Sequence, residues 1–210
     1  MISDRDIADL CLAIYADAQT VSWAHFDDGA DDGVCWGVKI IDGTDMVINR
    51  GSRTLSDWIR DAEAFADPAT HHGLGPVHPG FWRGMERQRE EISARGRGKR
   101  RFGGHSLGAA HASLLTGLFV LAGQMPGPRC VFGEPCSTFQ HGADIIAQAG
   151  GNSYRNGNGV IHDPVTAVRV RFWPELYVHA SRLIDVSRPP ADARDPFAWH
   201  HMPLYRAALS

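Results

Sequence analysis

One short stretch of the sequence has the residue types and spacing of a serine nucleophile. Residues 104–108 read Gly-His-Ser-Leu-Gly, a pattern in which a sharp strand-to-helix turn presents the hydroxyl of Ser106. Small residues on either side let the strand and the helix approach closely enough to form that turn. Unpaired N–H groups at the start of the helix would face the oxyanion formed during acyl transfer. Taken alone, the pattern also fits a glycine-rich turn in which Ser106 only caps a helix.

A serine hydroxyl becomes a good nucleophile when a base takes its proton and a carboxylate orients that base. In α/β-hydrolases the three groups follow one another along the chain as serine, acid and histidine. Here Asp163 follows Ser106, and two adjacent histidines, His200 and His201, come near the end of the sequence. Each candidate lies where a loop is expected after a strand. The sequence therefore predicts that Asp163 and one of the histidines meet Ser106 at one edge of a sheet.

The elements that must position these residues alternate between strand-like and helix-like patterns. Strands are predicted at residues 34–41, 45–49, 129–133, 168–172 and 177–186, with a hairpin as one arrangement of the last two. Helices are predicted after Ser3, at 53–65, at 82–94, from Leu107 towards Pro126, at 144–149 and near the C-terminus. This alternation predicts a mainly parallel sheet covered by helices on both faces, in a single domain of residues 1–210.

The stretch before the serine does not fit this pattern well. A strand leading into such a turn is expected to be a buried apolar run. Residues 99–104 are instead basic and glycine-rich, reading Lys-Arg-Arg-Phe-Gly-Gly. The residues themselves therefore do not predict the strand that the turn requires.

The overall composition is typical of a soluble globular domain. Hydrophobic residues make up 43% and charged residues 21% of the chain, and the formal net charge is −3. This charge gives no basic field for nucleic acid. The sequence contains no run of about 18 apolar residues that would predict a membrane span. Its first residues are polar and acidic rather than those of a signal peptide, so we expect a cytoplasmic location, with secretion by another route left open.

The cysteines and histidines do not have the spacing of a metal site. Cysteines occur at positions 11, 35, 130 and 136, with no Cys-x-x-Cys pair, and we expect buried thiols in a reducing compartment. The adjacent histidines at 71 and 72 have no third ligand nearby in the sequence. No metal and no cofactor are therefore expected.

Several blocks, taken in order, resemble those of the class 3 lipase family, the fungal-type lipases with relatives in plants, bacteria and phages. They are Arg50-Gly51-Ser52 with Asp57, Trp58 and Asp61; Val77–Phe81; Gly104–Ala110; Phe132–Pro135; Tyr154–Asn156 with Asp163–Val165; and His200 with Tyr205. No single block is specific to this family. The resemblance is specific because all the blocks occur together and in this order. It implies the α/β-hydrolase fold and the hydrolysis of carboxylic esters, above all acylglycerols or other lipid esters.

By the same resemblance, Ser106 is the nucleophile and Asp163 is the orienting acid. In family members that end with this spacing, a tyrosine falls five positions after the catalytic histidine. Tyr205 stands five positions after His200, which favours His200 as the base. His201 remains the alternative base.

The resemblance also implies an oxyanion hole and a lid. The hole would use the backbone N–H groups of Leu107 and Ser52, and the Ser52 hydroxyl, which could equally cap a helix, would be a further donor. Residues 53–60 would form the lid helix, with Leu55 and Trp58 facing the substrate. Because this lid is short and charged, we expect weak interfacial activation. The expected partners are a lipid or small ester substrate and a transient lipid interface.

Two other functions fit the same residues. The first is an esterase for small or phenolic esters on the same scaffold. The second is a non-catalytic member of the family that binds lipid or protein. The complete set of serine, acid and histidine argues against this second alternative, because a binding module has no need for all three.

Overall fold

The structure is a computed structural model that describes residues 2–16, 21–52, 69–70, 73–77, 79–96, 98–167, 177–192, 195 and 197–209. The strands are β1 (His25–Asp27), β2 (Trp36–Ile41), β3 (Thr44–Asn49), β4 (Ala69–Thr70), β5 (Pro76–Val77), β6 (Lys99–His105), β7 (Arg129–Phe132), β8 (Thr138–Phe139), β9 (Gly151–Asn156), β10 (Tyr177–Val178) and β11 (Leu183–Val186). The helices are α1 (Asp4–Ala13), α2 (Pro79–Trp82), α3 (Met85–Ala94), α4 (Leu107–Leu121), α5 (Gln140–Ala147) and α6 (Met202–Ala208), with 3₁₀ turns at Pro164–Ala167 and Ala198–His200.

The described strands form two sheets. The larger has the order β1-β2-β3-β6-β7-β9-β11, and its pairs from β3 to β11 are parallel, while β1, β2 and β3 form an antiparallel edge. The mainly parallel sheet predicted from the sequence is therefore confirmed. A smaller antiparallel sheet, β10-β8-β5-β4, was not predicted, because strands of two residues are too short to show an alternating pattern.

The basic stretch before the serine is a central strand of the large sheet. β6 runs between β3 and β7 and pairs with both in parallel. At its start, the guanidinium of Arg100 lies 4.6 Å above the ring of Phe119 and donates to the carbonyl of Gly96, so only 4% of this residue is exposed. Long-range pairing and these contacts form a strand that the local residues do not predict.

Helices cover both faces of the sheet. Consecutive residues of β3 point to opposite faces, so Val47 joins one buried cluster while Met46 and Ile48 join the other. The cluster around Val47 includes residues of α3, α4 and α5, and the opposite cluster includes residues of α1 and α6. All four cysteines are buried and unpaired, as predicted. Within the described ranges, no helix is long and apolar enough to cross a membrane.

Three predicted elements differ from the observed ones. The helix predicted at 82–94 is split between α2 and α3, because Gly84 has a φ of 72°. The helix predicted at 144–149 begins earlier, at Gln140. The strand predicted at 177–186 is two separate strands, β10 in the small sheet and β11 at the edge of the large one.

Other predictions fall outside the described residues. The helix predicted at 53–65, with the lid at 53–60, lies there, and so does the strand predicted at 168–172. The single domain of residues 1–210 stays a prediction.

Candidate active site

Ser106 lies at the turn between β6 and α4, in a backbone conformation that residues with a side chain rarely adopt. Its φ is 61° and its ψ is −130°. Its N–H donates to the carbonyl of Phe132 at 3.0 Å, which ties the turn to the neighbouring strand. Such a strained turn is typical of a nucleophilic serine on an α/β sheet.

The two glycines of the pattern are required because three backbone segments touch at this turn. A Cβ atom on Gly104 would overlap the carbonyl oxygen of Gly108. A Cβ atom on Gly108 would overlap the carbonyl oxygen of Asn49, the last residue of β3. The spacing seen in the sequence therefore reflects close packing of strand, helix and adjacent strand.

Asp163 is held where the chain returns to the end of β9, and both oxygens of its carboxylate accept hydrogen bonds. Its N–H donates to the carbonyl of Asn156 at 2.8 Å. Its Oδ2 accepts from His200 Nδ1 at 2.6 Å and from the hydroxyl of Tyr205, while its Oδ1 accepts from the N–H of Val165 at 2.9 Å. Burial alone would raise the pKa of Asp163, but His200, Tyr205 and Val165 together hold it below its ordinary value.

The bond to Asp163 determines which nitrogen of His200 is available for chemistry. Because Nδ1–H donates to the carboxylate, Nε2 carries the lone pair of the neutral ring. In the described part of the chain, neither His200 Nε2 nor Ser106 Oγ has a hydrogen-bond partner, and both atoms are buried. Both residues line one cavity of about 280 Å³. His200 is buried, whereas His201 is exposed.

The structure thus brings Asp163 and His200 together and places Ser106 at the same cavity. In this structure Ser106 Oγ and His200 Nε2 are not hydrogen-bonded to each other. Contacts of this kind are often long in free enzymes and shorten when substrate binds.

A hydrogen-bonded bridge that the sequence did not reveal lies beside the serine. His105 Nε2 is 2.7 Å from the carbonyl of His200, which can only accept, so Nε2 carries the proton. His105 Nδ1 therefore accepts from the Tyr15 hydroxyl, 2.8 Å away. That hydroxyl in turn accepts from the N–H of Gly51 at 3.1 Å. Burial and the nearby His200 lower the pKa of His105 to about 3, so the bridging ring is neutral at pH 7.

This bridge joins the two loops that flank the nucleophile. Gly51 precedes Ser52, the expected oxyanion donor, and the other end of the bridge is the backbone of His200. Ser52 lines the cavity. Leu107 is the first residue of α4, so its N–H has no acceptor within the helix. The other expected substrate contacts, Leu55 and Trp58, lie outside the described residues.

Gly133, which follows β7, is a further residue whose importance only the structure shows. Its φ is 58°. A Cβ atom there would lie 2.6 Å from His200 Cε1 and 2.7 Å from Asp163 Oδ2. The glycine of the Phe132–Pro135 block therefore leaves room for the acid–base pair.

A second buried carboxylate, Glu134, follows directly. It accepts from the hydroxyls of Ser113 and of Ser153, the latter at 2.8 Å, and it pairs with Arg129 at 3.3 Å. Burial would raise the pKa of Glu134, but Arg129, His179 and Ser113 lower it to about 2. Glu134 is not among the described residues that line the cavity.

The cavity beside Ser106 is mostly apolar. Its non-polar wall comes from the end of α1 and the start of α6, through Leu12, Tyr15, Met202 and Pro203. Among the residues that the structure describes, no group of three or more His, Cys, Asp or Glu side chains could hold a metal ion.

Comparison with known proteins identifies a family and a fold. The model of the family described as "Lipase (class 3)" matches residues 46–171, which include the serine turn and Asp163. A search of curated protein sequences found no match.

Solved structures of lipases share the fold. That of the Rhizomucor miehei triacylglyceride lipase has a TM-score of 0.72 at 16% identity and covers 86% of this chain and 77% of its own. The mono- and diacylglycerol lipase from Aspergillus oryzae gives 0.64 at 23% identity, covering 80% of this chain and 64% of its own. A triacylglycerol lipase described as having a serine protease triad gives 0.60 at 18% identity, covering 79% and 66%. This chain spans less than two thirds of the last two proteins.

The family model covers more than half of the chain, and solved structures of lipases share its fold. The chain therefore belongs to the class 3 lipase family, carboxylic ester hydrolases of the α/β-hydrolase fold.

Proposed function

We propose that this protein cleaves acylglycerols or other lipid esters through an acyl-enzyme on Ser106. The observation that carries the proposal is the orientation of His200. Its Nδ1 is bonded to Asp163 at 2.6 Å, its Nε2 is unpaired among the described residues, and the residue lines the cavity that Ser106 also lines. A base that is oriented on one side and available on the other is what a serine nucleophile needs.

In the first half of the reaction, Ser106 Oγ attacks the ester carbonyl carbon while His200 Nε2 takes the hydroxyl proton. Asp163 stabilises the imidazolium that forms. The oxyanion accepts hydrogen bonds from the backbone N–H groups of Leu107 and Ser52. When the tetrahedral intermediate collapses, His200 returns the proton to the departing alkoxide. The alcohol leaves, and the acyl group remains on Ser106.

In the second half, water takes the place of the alcohol. His200 removes a proton from the water as it attacks the acyl carbon, and the proton then goes to Ser106 Oγ as the carboxylic acid leaves. The neutral His105 ring and Tyr15 hold the two flanking loops at a fixed distance through both halves of the reaction.

The lipid character of the substrate is supported by the walls of the cavity. Leu12, Met202 and Pro203 give it a largely apolar lining next to the serine. Lipid esters are present as aggregates in water, so we also propose a transient contact with a lipid interface. A role for residues 53–60 as a lid remains a prediction, as does the cytoplasmic location.

Labelling with a fluorophosphonate probe tests the nucleophile. We expect covalent labelling at Ser106 in the folded protein and none in Ser106→Ala. If the folded wild-type protein is not labelled, the non-catalytic alternative is favoured. A series of p-nitrophenyl esters then separates lipase from esterase, since activity on short chains alone would favour the small-ester alternative.

The adjacent histidines give a matched test of the base. His200→Ala should lose nearly all turnover, because no other group bonds Asp163 and opens to the cavity in the described structure. His201→Ala should retain most of it: His201 also lines the cavity, but its side chain is exposed, and the histidine bonded to Asp163 is His200. The reverse result would reassign the base to His201.

A further inference from the structure

A short hairpin extends the chain beyond the end of β9. Gly157 and His162 face each other as an antiparallel bridge, and Asp163 N–H donates to the carbonyl of Asn156 at 2.8 Å. The N–H of Gly157 also donates to the carbonyl of Val186 at 2.9 Å, which ties the hairpin to β11. The base of the hairpin is therefore held on both sides.

The tip of the hairpin is a turn in which three backbone N–H groups have partners within the turn. Asn158 Oδ1 accepts from the N–H of Val160 at 3.0 Å and from that of Ile161 at 2.8 Å. Asn158 N–H donates back to the carbonyl of Ile161 at 3.0 Å. An ordered turn with paired amide groups can enter a less polar medium at a low cost in lost hydrogen bonds.

This turn presents two aliphatic side chains to solvent. Val160 is 88% exposed and Ile161 is 45% exposed. Single exposed aliphatic residues are common and need no explanation. Two neighbours at the tip of a hydrogen-bonded hairpin are different, because folding holds them in water with no gain from packing.

The hairpin lies at the edge of the sheet that carries the active site. β9 runs parallel to β7 and β7 parallel to β6, so the ends followed by Asp163 and Ser106 share one edge. The base of the hairpin is Asp163 itself, bonded to His200. The two aliphatic side chains therefore project from the same edge as the cavity.

Met125 is an exposed apolar residue far from the active site and serves as a control for the two residues of the hairpin. Met125 is 59% exposed but follows the far end of α4. Because that helix has 15 residues and begins next to Ser106, its far end is about 22 Å from the serine, at 1.5 Å per residue.

We propose that Val160 and Ile161 form a contact point that enters the surface of the lipid aggregate holding the substrate. This inference rests on the proposed hydrolysis of lipid esters. Residues 157–161 carry no charge, and the closest charged residues of β9 and β11, Arg155 and Asp185, are paired with each other at 2.7 Å. The contact is therefore with an uncharged or zwitterionic lipid surface and depends on apolar burial rather than on attraction to anionic headgroups.

Vesicle sedimentation measures this contact without any hydrolysis. Vesicles of diether phosphatidylcholine contain no ester bond, so binding is read independently of catalysis. The wild-type chain is compared with Val160→Ser/Ile161→Ser and with the control Met125→Ser. We expect the partition coefficient to fall about tenfold or more in the double variant. The free energy gained when an aliphatic side chain moves from water into lipid corresponds to at least that factor. Met125→Ser should bind like the wild type.

Salt and anionic lipid sharpen the test. Adding phosphatidylglycerol or removing salt should change the tip-dependent part of the binding little, because the tip is uncharged. If the double variant fails to fold, Val160→Ser alone replaces it, because an 88% exposed side chain contributes little to the folded core.

A second measurement connects the contact to turnover. The ratio of hydrolysis rates on emulsified tributyrin and on dissolved p-nitrophenyl acetate should fall about tenfold in the double variant, the same factor as the loss of partition. It should stay at the wild-type value in Met125→Ser.

Several outcomes would overturn the inference. The first is that the wild type and the double variant bind vesicles equally well. The second is that the wild type does not bind vesicles measurably. The third is that Met125→Ser loses as much vesicle binding as the double variant. Sedimentation equilibrium showing a dimer that the double variant abolishes would assign the tip to a second copy of the chain instead. If the wild type hydrolyses no ester while tip-dependent vesicle binding persists, the proposed function fails and the lipid contact stands.

Discussion

Asp163 and Glu134 are both buried carboxylates that follow neighbouring parallel strands, yet they are bonded in different ways. Each is 1% exposed, and each has a pKa held below its ordinary value despite burial. Glu134 faces the cation Arg129, two serine hydroxyls and, at 3.9 Å, the ring of His179. Asp163 faces a histidine and a tyrosine hydroxyl.

The difference lies in what the partners do with their remaining polar atoms. Arg129 directs a second nitrogen to Ser181 Oγ at 3.1 Å, so its bonds stay within the protein. The second nitrogen of His200 has no hydrogen-bond partner among the described residues, and His200 lines the cavity that Ser106 also lines. Burial and ionisation are therefore the same at both carboxylates, and only Asp163 is connected to a place where a substrate can react.

Turnover gives the largest expected contrast between the two carboxylates. Asp163→Asn should lower kcat by about 10⁴, because the amide no longer holds His200 in the required tautomer or stabilises its cation. Glu134→Gln should keep most of the kcat of the folded protein. Ester hydrolysis, corrected by active-site titration for the folded fraction, measures both. Comparable losses of kcat would show that Glu134 also acts on the reacting atoms.

Stability should show the opposite order. Glu134→Gln leaves Arg129 buried without its counter-charge, so we expect a loss of about 3–5 kcal/mol in the free energy of unfolding. Asp163→Asn should cost less, because its partners are not permanent cations. Urea denaturation measures this difference. Asp185→Asn is the control, because its ion pair with Arg155 is at the surface and is worth less than about 1 kcal/mol. A larger loss in Asp163→Asn than in Glu134→Gln would contradict the comparison.

The histidines beside the two carboxylates extend the contrast to pH. Burial and the nearby His200 lower the pKa of His105 from 6.5 to about 3, so its stabilising contribution is present above pH 6.5 and is lost as the pH falls towards 3. Burial would lower the pKa of His179, but Cys136 and Glu134 raise it to about 10, so its contribution is present below pH 6.5 and is lost as the pH rises.

Denaturation at a series of pH values tests both histidines. His105→Gln should remove about 1.4 kcal/mol per pH unit from the slope of the unfolding free energy between pH 3 and 6.5, the value for one proton. His179→Gln should remove a slope of opposite sign above pH 6.5. Unchanged slopes in either variant would mean that the ring titrates alike in the folded and unfolded chain.

Tyr205 gives the smallest expected effect. Tyr205→Phe removes one of the donors to Asp163, and a hydrogen bond to a charged group is worth about 1.5–3 kcal/mol. We expect part of this free energy to be lost from the transition state, which would lower kcat roughly tenfold with little change in KM. Tyr154→Phe is the control, because its hydroxyl donates to Asp4, away from the cavity. If both variants lose kcat equally, the effect of Tyr205→Phe is structural rather than an effect on Asp163.

Features that depend on neighbours along the chain were predictable. The serine turn is one, because its two glycines are needed where strand and helix first meet. The capping box of Ser3 and Asp6 at the start of α1, and the turn at Asp42 and Gly43 between β2 and β3, are others. In each case the physical cause lies within a few residues of the pattern.

Features that depend on distant residues were not predictable from these patterns. The basic residues of β6 form a central strand only because β3 and β7 lie on either side. The bridge through Tyr15 and His105 joins residues 90 positions apart, and nothing in either neighbourhood indicates it.

The sequence by itself determined the family, because its blocks occur together in order, and the serine turn, because its two glycines have a local cause. It also supplied the residue types of the acid and the base. Only the tertiary structure decided which of two adjacent histidines lies against Asp163, and which of two buried carboxylates is connected to the cavity. Contacts between residues far apart in the chain set the burial, the hydrogen-bond direction and the charge of each group.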